Sequence, residues 1–210
     1  RAFDGCNALS KIIMESNNPP TIEYLGYLPG TMIHIPDNSF KAYQSAWETK
    51  YRKYNFIHNG DTLTLHVETP GTLAELVEES GIDRMNVKSI TLTGTIDKFD
   101  WRTLSVMISL MEVDLSGLTN THIGTFYNNT NIVSIILPNN LKQIEDYAFS
   151  NLESLTSISI PNSVESIGRG SFKDCDALTS ITIPNSVTEL GMSAFFGCSS
   201  LKRFDVPVRV

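Results

Sequence analysis

The sequence predicts an α/β repeat solenoid, a stack of short coils that each contribute one short parallel strand, closed at its start by a mixed strand and helix cap. Two observations carry this. Phe126, Phe149, Phe172 and Phe195 stand 23 residues apart, and the same step relates Pro138, Pro161, Pro184 and Pro207. Between these anchors Leu155-x-x-Ile158-x-Ile160-Pro161-Asn162-Ser163-Val164 returns as Leu178-x-x-Ile181-x-Ile183-Pro184-Asn185-Ser186-Val187, followed by Ile167-Gly168 and Leu190-Gly191. A fixed period of roughly 20 to 50 residues is the signature of stacked supersecondary units.

Residues 1 to 58 read as the end of one such array. Ala2-Phe3-Asp4-Gly5-Cys6-Asn7-Ala8-Leu9 with Ile12 and Met14 forms the second half of a repeat, and the period then dissolves at Asn17-Asn18-Pro19-Pro20. The stretch from Met32-Ile33-His34-Ile35-Pro36 through Phe40, Tyr43, Trp47, Tyr51, Tyr54 and Phe56 is apolar and aromatic enough to seal a last coil. It is expected to be a C-terminal cap.

Residues 59 to 108 differ from the repeats. Leu63-Thr64-Leu65-His66-Val67 alternates as a half-buried strand does. Leu73, Leu76 and Val77 then share one helical face, as do Leu104, Met107 and Ile108. A bare solenoid end exposes core and edge strand together, so this segment is expected to cap the first coil of the next array.

Residues 109 to 210 hold the repeats themselves, with fainter copies at Ile132/Ile135/Leu137, Leu110/Val113/Leu115 and Val87/Ile90/Leu92. Ile158 and Ile160 mark a strand with one face buried, and Pro161, lacking a donor, ends it. Val164 and Ile167 turn back inward, Gly168 and Gly191 suit a turn with positive φ, and Ala148-Phe149 closes the far wall. No coil encloses its own apolar residues, so several must pile up before burial offsets a chain entropy of roughly 1 to 2 kcal/mol per residue.

Composition excludes some functions. With a net charge of −7, the chain repels a polyphosphate, so nucleic acid is not an expected partner. No apolar run approaches the roughly 18 residues of a membrane-spanning helix. Cys6, Cys175 and Cys198 lack CxxC spacing and read as small core hydrophobes. His34, His58, His66 and His122 lack the close His or carboxylate spacing of a metal or acid–base site, and no GxSxG, HExxH or phosphate-cradling glycine loop occurs. Neither catalysis nor a cofactor is expected. Glu75, Glu78, Glu79 and Asp83 read as a solvated helix face.

The candidate binding residues are those beside the buried Ile pairs. Period-2 alternation turns them outward in two vertical rows, Ser134, Ser157, Ser180 and Arg203 in one, Ile136, Ser159, Thr182 and Asp205 in the other. As a functional surface they offer hydroxyl donors and acceptors along one face; as plain structure, Ser and Thr simply suit an exposed strand. Phe126-Tyr127 and the aromatics at 43 to 54 read either as a stacking platform or as cap packing. The half-repeat at residues 1 to 14 complements the coil left open near Val210, so head-to-tail self-association is also expected.

These residues resemble the BspA-like leucine-rich repeats of bacterial cell-surface proteins, whose unit reads Leu-x-x-Ile-x-Ile-Pro-x-Ser-Val-x-x-Ile-Gly-x-x-Ala-Phe-x-x-Cys. Residues 125 to 207 match closely and residues 1 to 14 in part, while Leu65-His66-Val67-Glu68-Thr69-Pro70-Gly71-Thr72-Leu73, Leu92-Thr93-Gly94 and Val113-Asp114-Leu115-Ser116 look like the N-terminal cap of Bacteroides members. Departures are Asn151 and Thr130 or Asn129 where Cys is usual, and Ser171 in place of Ala. The resemblance implies a right-handed leucine-rich-repeat superhelix and a secreted or surface-bound adhesion module, whose partner is a protein or glycan on a host or neighbouring cell. A structural spacer between domains of a larger surface protein is the alternative. The resemblance brings no catalytic residue or cofactor, and it implies that the equivalent thiols Cys175 and Cys198 stay buried, although their proximity leaves a disulfide open.

Overall fold

The computed structural model describes residues 11–14, 32–35, 55–58, 61–80, 82–127 and 129–205. The chain divides into two compact units, Arg1–Thr62 and Leu63–Val210. In the first, β1 (Lys11–Ile13), β2 (Met32–Ile35) and β3 (Asn55–His58) form a parallel three-stranded sheet. Lys11 lies opposite Met32, and Met32 opposite Asn55. The strand ladder therefore continues beyond Asn17–Pro20, where the sequence motif fades. A parallel pair needs only two extended segments in phase, and Met32-Ile33-His34-Ile35 supplies one without the motif's turn residues. Tyr43, Trp47, Tyr51 and Tyr54 lie outside the described residues, as do residues 1–10 and 206–210, on which the self-association reading rests.

The second unit opens with β4 (Thr62–Val67), whose Leu63 and Val67 are buried, and α1 (Leu73–Glu79), which buries Leu73 and Val77. After β5 (Ser89–Gly94) comes α2 (Lys98–Ser105). Helix α2 ends before Met107, so Leu104, Met107 and Ile108 do not share a helical face as their spacing suggests. Leu104 and Met107 are buried and Ile108 is exposed. The helix is set instead by Asp97, whose carboxylate accepts the Phe99 and Asp100 amides while Asp100 accepts the Asp97 amide, a capping box that fixes the start. The Asp100 carboxylate, fully buried, also accepts the amides of Gly71 and Leu73 and so ties the entry of α1 to α2.

From here the coils line up in two strand columns. One column runs through β4, β5, β6 (Glu112–Leu118) and β8 (Ser134–Ile136), and resumes as the Ser157–Ser180 bridge and the pair β11 (Ser180–Thr182) and β13 (Arg203–Asp205), all parallel where register is defined. The other joins β7 (His122–Ile123), β9 (Gln143–Ile144), β10 (Ser166–Ile167) and β12 (Glu189–Leu190). The expected single strand per coil is thus joined by a second, two residues long, which lines up because each Ile-Gly segment hydrogen-bonds the coil before it: the Gly168 amide donates to Ile144 at 2.8 Å and Gly191 to Ile167 at 2.7 Å.

The interior between the two columns holds the repeating apolar side chains. Val164, Ile167, Leu155 and Leu178 are buried, as are Phe126, Phe149 and Phe172, with Phe195 half-buried against them. The rings stack coil on coil with centroids 6.2, 5.1 and 5.2 Å apart, and Trp101 meets Phe126 edge-on at 5.8 Å, extending the stack into the cap.

The turn glycines act differently from the sequence expectation. Positive φ falls at Tyr147, Gly170 and Ser193, and again at Asn151, Asp174 and Gly197, two left-handed corners per coil. Gly168 and Gly191 are not among them. A Cβ at Gly168 would meet the Asp146 amide nitrogen at 2.6 Å, and one at Gly191 would collide with the backbone of Gly168 and Arg169. These glycines are required by the close approach of neighbouring coils.

The same alignment corrects the cysteine column. Three residues after each column Phe stand Asn129, Leu152, Cys175 and Cys198, so Leu152 and not Asn151 takes the place of Cys, while Asn151 occupies a left-handed corner. Leu152 is fully buried. Asn129 is buried too, its side-chain amide donating to the carbonyl of Met107 at 3.0 Å, much as the Cys175 and Cys198 thiols donate to Phe149 and Phe172 at 3.1 and 3.0 Å. A side-chain donor at this column satisfies a carbonyl of the coil before it.

Candidate binding surface

The outward rows rest on the first strand column. Ser157, Ser159, Ser180 and Thr182 are exposed, while Ile158, Ile160, Ile181 and Ile183 alternate with them into the core. Ser157 lies opposite Ser180, Ser180 opposite Arg203 and Thr182 opposite Asp205, so these residues share one register across three coils. Ser134 and Ile136 belong to β8, opposite Glu112 and Asp114; Ser134 is half-buried and Ile136 exposed. The four-stranded sheet ends at β8, and the row resumes one coil later at Ser157. Between Ser157, Ser159, Asn162 and Thr182 the surface sinks into a shallow concavity of about 350 Å³. Its floor of Ile and Pro with a rim of hydroxyls can take a flat ligand with polar edges, held by hydrogen bonds and a small apolar contact.

Other sequence candidates separate. Phe126 is a core ring, whereas Tyr127 beside it is exposed. His66 is exposed with its Nδ1 2.8 Å from the Thr93 hydroxyl, and His122 Nδ1 lies 3.0 Å from that of Thr121. The side chains of His34 and His58 lie outside the described residues. Glu75, Glu78, Glu79 and Asp83 face solvent. Among the described residues no three His, Cys, Asp or Glu side chains gather as a metal site would require, and no helix is long and apolar enough to cross a membrane.

Cys175 and Cys198 are free thiols in contact with one another. The hydrogen bond to Cys198 and burial push the Cys175 thiol well above the ordinary thiol range, while the same hydrogen bond holds Cys198, half-buried, below it.

Sequence reasoning missed a second exposed cluster, on the turns after the second strand column: Tyr147, Arg169, Lys173 and Phe196, adjoining Tyr127. The Arg169 guanidinium lies 6.0 Å from the centroid of the Tyr147 ring, and the Lys173 ammonium 5.9 Å from that of Phe196. No repeat signal marks it, since Tyr127, Ser150, Lys173 and Phe196 fill one position of the 23-residue unit with four different residue types.

The family model of the BspA type leucine rich repeat region matches in six copies, over residues 48–152 and 119–210. Among solved structures, the chain is similar to a leucine rich repeat protein of T. pallidum, 32% identical, covering 58% of this chain and 54% of that one with a TM-score of 0.49. A leucine-rich repeat protein of Bacteroides ovatus is 20% identical, covering 99% of this chain and 51% of that one, also with a TM-score of 0.49. The chain thus spans about half the length of these two relatives. No curated protein matches. With the family model spanning most of the stacked coils described above, the chain belongs to the BspA-type leucine-rich-repeat family.

Proposed function

We propose that this chain is a non-catalytic binding and adhesion module working at the surface of a bacterial cell or outside it, which recognises a protein or glycan through the face of its first strand column. The observation that carries the reading is the register of Ser157 with Ser180 and of Thr182 with Asp205, which lines exposed hydroxyls along one continuous face over a rigid Ile floor. Extended solenoid faces suit this role because the scaffold pre-organises groups contributed by several coils. Family membership supports the reading, since it brings a binding scaffold without a catalytic motif.

The test is an array of host matrix proteins, bacterial surface proteins and glycans probed with the intact chain and with a Ser157→Arg/Ser180→Arg/Thr182→Arg variant. Binding by the intact chain that the variant loses supports the strand face. An array silent for the intact chain overturns the reading.

The division into two compact units, each with its own parallel ladder, favours a second reading, that the chain spaces other domains apart. A spacer predicts that the Arg substitutions change nothing on the array or in cell attachment.

A further inference from the structure

The exposed aromatic side chains of the repeats gather on the turns after the second strand column, away from the Ser/Thr row. Tyr127, Tyr147 and Phe196 are 52%, 37% and 63% exposed, and each comes from a different coil. Lys173 sits among them. Its ammonium is 2.7 Å from the Asp174 carboxylate and 5.9 Å from the Phe196 centroid, and the two phenols lie near enough that their ionised forms would favour its charged state.

The position of Tyr147 is built into the backbone. The residue takes a left-handed φ of 57° and its ring lies across Gly170 of the next coil, where a Cβ would stand 2.6 Å from the ring edge. Glycine in one coil thus makes room for the ring of another, while Arg169 stands beside that ring.

The chemistry of the row is specific. Neighbouring coils are separated by about 4.8 Å, the spacing of paired strands, which is close to the length of one pyranose unit. Aromatic faces offer large contact area at low entropy cost, and the C–H faces of sugars stack on them. The formal charges cancel: Lys173 is paired with Asp174, and Arg169 has Asp146 close by, whose carboxylate accepts the Arg169 backbone amide at 2.6 Å. Such a surface concentrates neither polyanions nor polycations, and the net charge of −7 works further against an acidic polymer. Ser150 and Lys173 separate Tyr127 from Phe196 in the vertical row, so the rings are spaced singly and do not merge into the continuous apolar core favoured by protein interfaces.

We propose that Tyr127, Tyr147 and Phe196 form a stacking row for an uncharged polysaccharide lying along the solenoid axis, with Arg169, Lys173 and Asp174 hydrogen-bonding its hydroxyls. The proposal rests on reading the chain as a binding module and places a glycan on a surface separate from the strand face.

The experiment is affinity electrophoresis of the full 210-residue chain through native gels containing a mixed-linkage β-glucan, a galactomannan or a soluble α-glucan, beside gels with hyaluronan and with no polymer. Retardation is expected in at least one neutral gel and not with hyaluronan. The Tyr127→Ala/Tyr147→Ala/Phe196→Ala variant is expected to weaken it at least about tenfold, the scale at which several contact anchors are lost together. A Phe99→Ala variant, which removes an exposed ring of the cap outside both surfaces, is expected to be retarded as the parent is, so any loss is tied to the row. Nitration of Tyr127 and Tyr147 by tetranitromethane, with and without the retarding polysaccharide, tests the parent chain even if the triple variant fails to fold, and protection of both phenols is expected. No retardation in any neutral gel, retardation by hyaluronan alone, retardation unchanged in a folded triple variant, or unprotected phenols would each overturn the proposal. Neutral gels that stay silent while the triple variant loses a protein partner from the array would overturn it in favour of a protein interface.

Discussion

The carboxylate of Asp100 accepts the backbone amide of Leu73 at 2.9 Å, binding the first helix of the cap to the second across 27 residues of chain. Its other oxygen takes the amides of Gly71 at 2.7 Å and Asp97 at 2.9 Å. Three amides, that of Leu73 buried and those of Gly71 and Asp97 part-buried, therefore depend on one fully buried side chain. Asp100→Ala leaves them unsatisfied, and at roughly 1 to 3 kcal/mol per orphaned group, less whatever water recovers, the expected destabilisation is about 3 kcal/mol. Asp100→Asn keeps the shape but turns an NH₂ toward donors and is expected to lose nearly as much. Chemical denaturation followed by circular dichroism checks both. A loss below 1 kcal/mol for Asp100→Ala would show that the network is not what holds the cap.

Gly168 and Gly191 separate two explanations that look alike in sequence. If positive φ were the requirement, Asn would be the best tolerated replacement; if close approach is, every side chain fails at its first carbon. With the Asp146 nitrogen 2.6 Å from the added atom, Gly168→Ala is expected to cost about 1 to 3 kcal/mol, and Gly168→Asn at least as much. At Asn151, by contrast, whose φ is 61°, Asn151→Gly is expected to be nearly neutral or stabilising. Melting curves of the three variants decide, and an order with Gly168→Asn milder than Gly168→Ala would contradict the packing account.

Much of the fold was legible because apolar side chains repeat in phase. Phe149, Phe172 and Val164 stand at the same step in every unit, and shared burial leaves that mark on the sequence. What was not legible has no such mark. Gln143–Ile144 and Ser166–Ile167 are too short for alternation to be seen, and become strands only when another coil supplies their hydrogen bonds. The start of α2 was readable from Asp97-x-x-Asp100 but was obscured by the helical spacing of Leu104, Met107 and Ile108. Leu152 leaves no mark of its column because it is an ordinary core residue that shares neither the sulfur nor the donor of Cys175 and Cys198. The Ser/Thr row of the candidate surface followed from strand alternation alone. The ring row did not, because Tyr147 and Gly170 hold equivalent positions and only the structure shows one lying across the other.

The thiol pair should react unequally. Cys198 is half-buried, and its thiolate is favoured because the one Cys175 thiol proton can turn to it from the Phe149 carbonyl, whereas Cys175 is enclosed and held in the protonated form. A maleimide or iodoacetamide titration of the folded protein is expected to modify Cys198 first, at a pH below that at which an ordinary thiol begins to react, and to leave Cys175 until unfolding. The sign follows from the pair: Cys175→Ala removes the donor, so the apparent pKa of Cys198 should rise and its labelling at neutral pH should slow. Peptide mapping after brief labelling reads this directly, and Cys175 labelling as fast as Cys198 in the folded state would refute it.

The last prediction concerns the ring stack. Phe149 and Phe172 belong to successive coils, are fully buried, and hold their centroids 5.1 Å apart with planes 31° apart. Truncating either to Ala removes a large buried side chain and is expected to cost about 3 to 5 kcal/mol. That loss alone does not separate burial from ring–ring attraction. The milder substitutions Phe149→Leu and Phe172→Leu keep most of the apolar volume and remove the aromatic faces. Measured singly and together, they form a cycle whose coupling energy isolates the pair, expected at about 0.5 to 1.5 kcal/mol for rings in this geometry. The Phe126 and Phe149 rings, at 6.2 Å, are farther apart and should couple less. Equal coupling for the two pairs would mean that the coils communicate through backbone and volume alone, and that the 23-residue recurrence of Phe reflects the space to be filled and not attraction between successive rings.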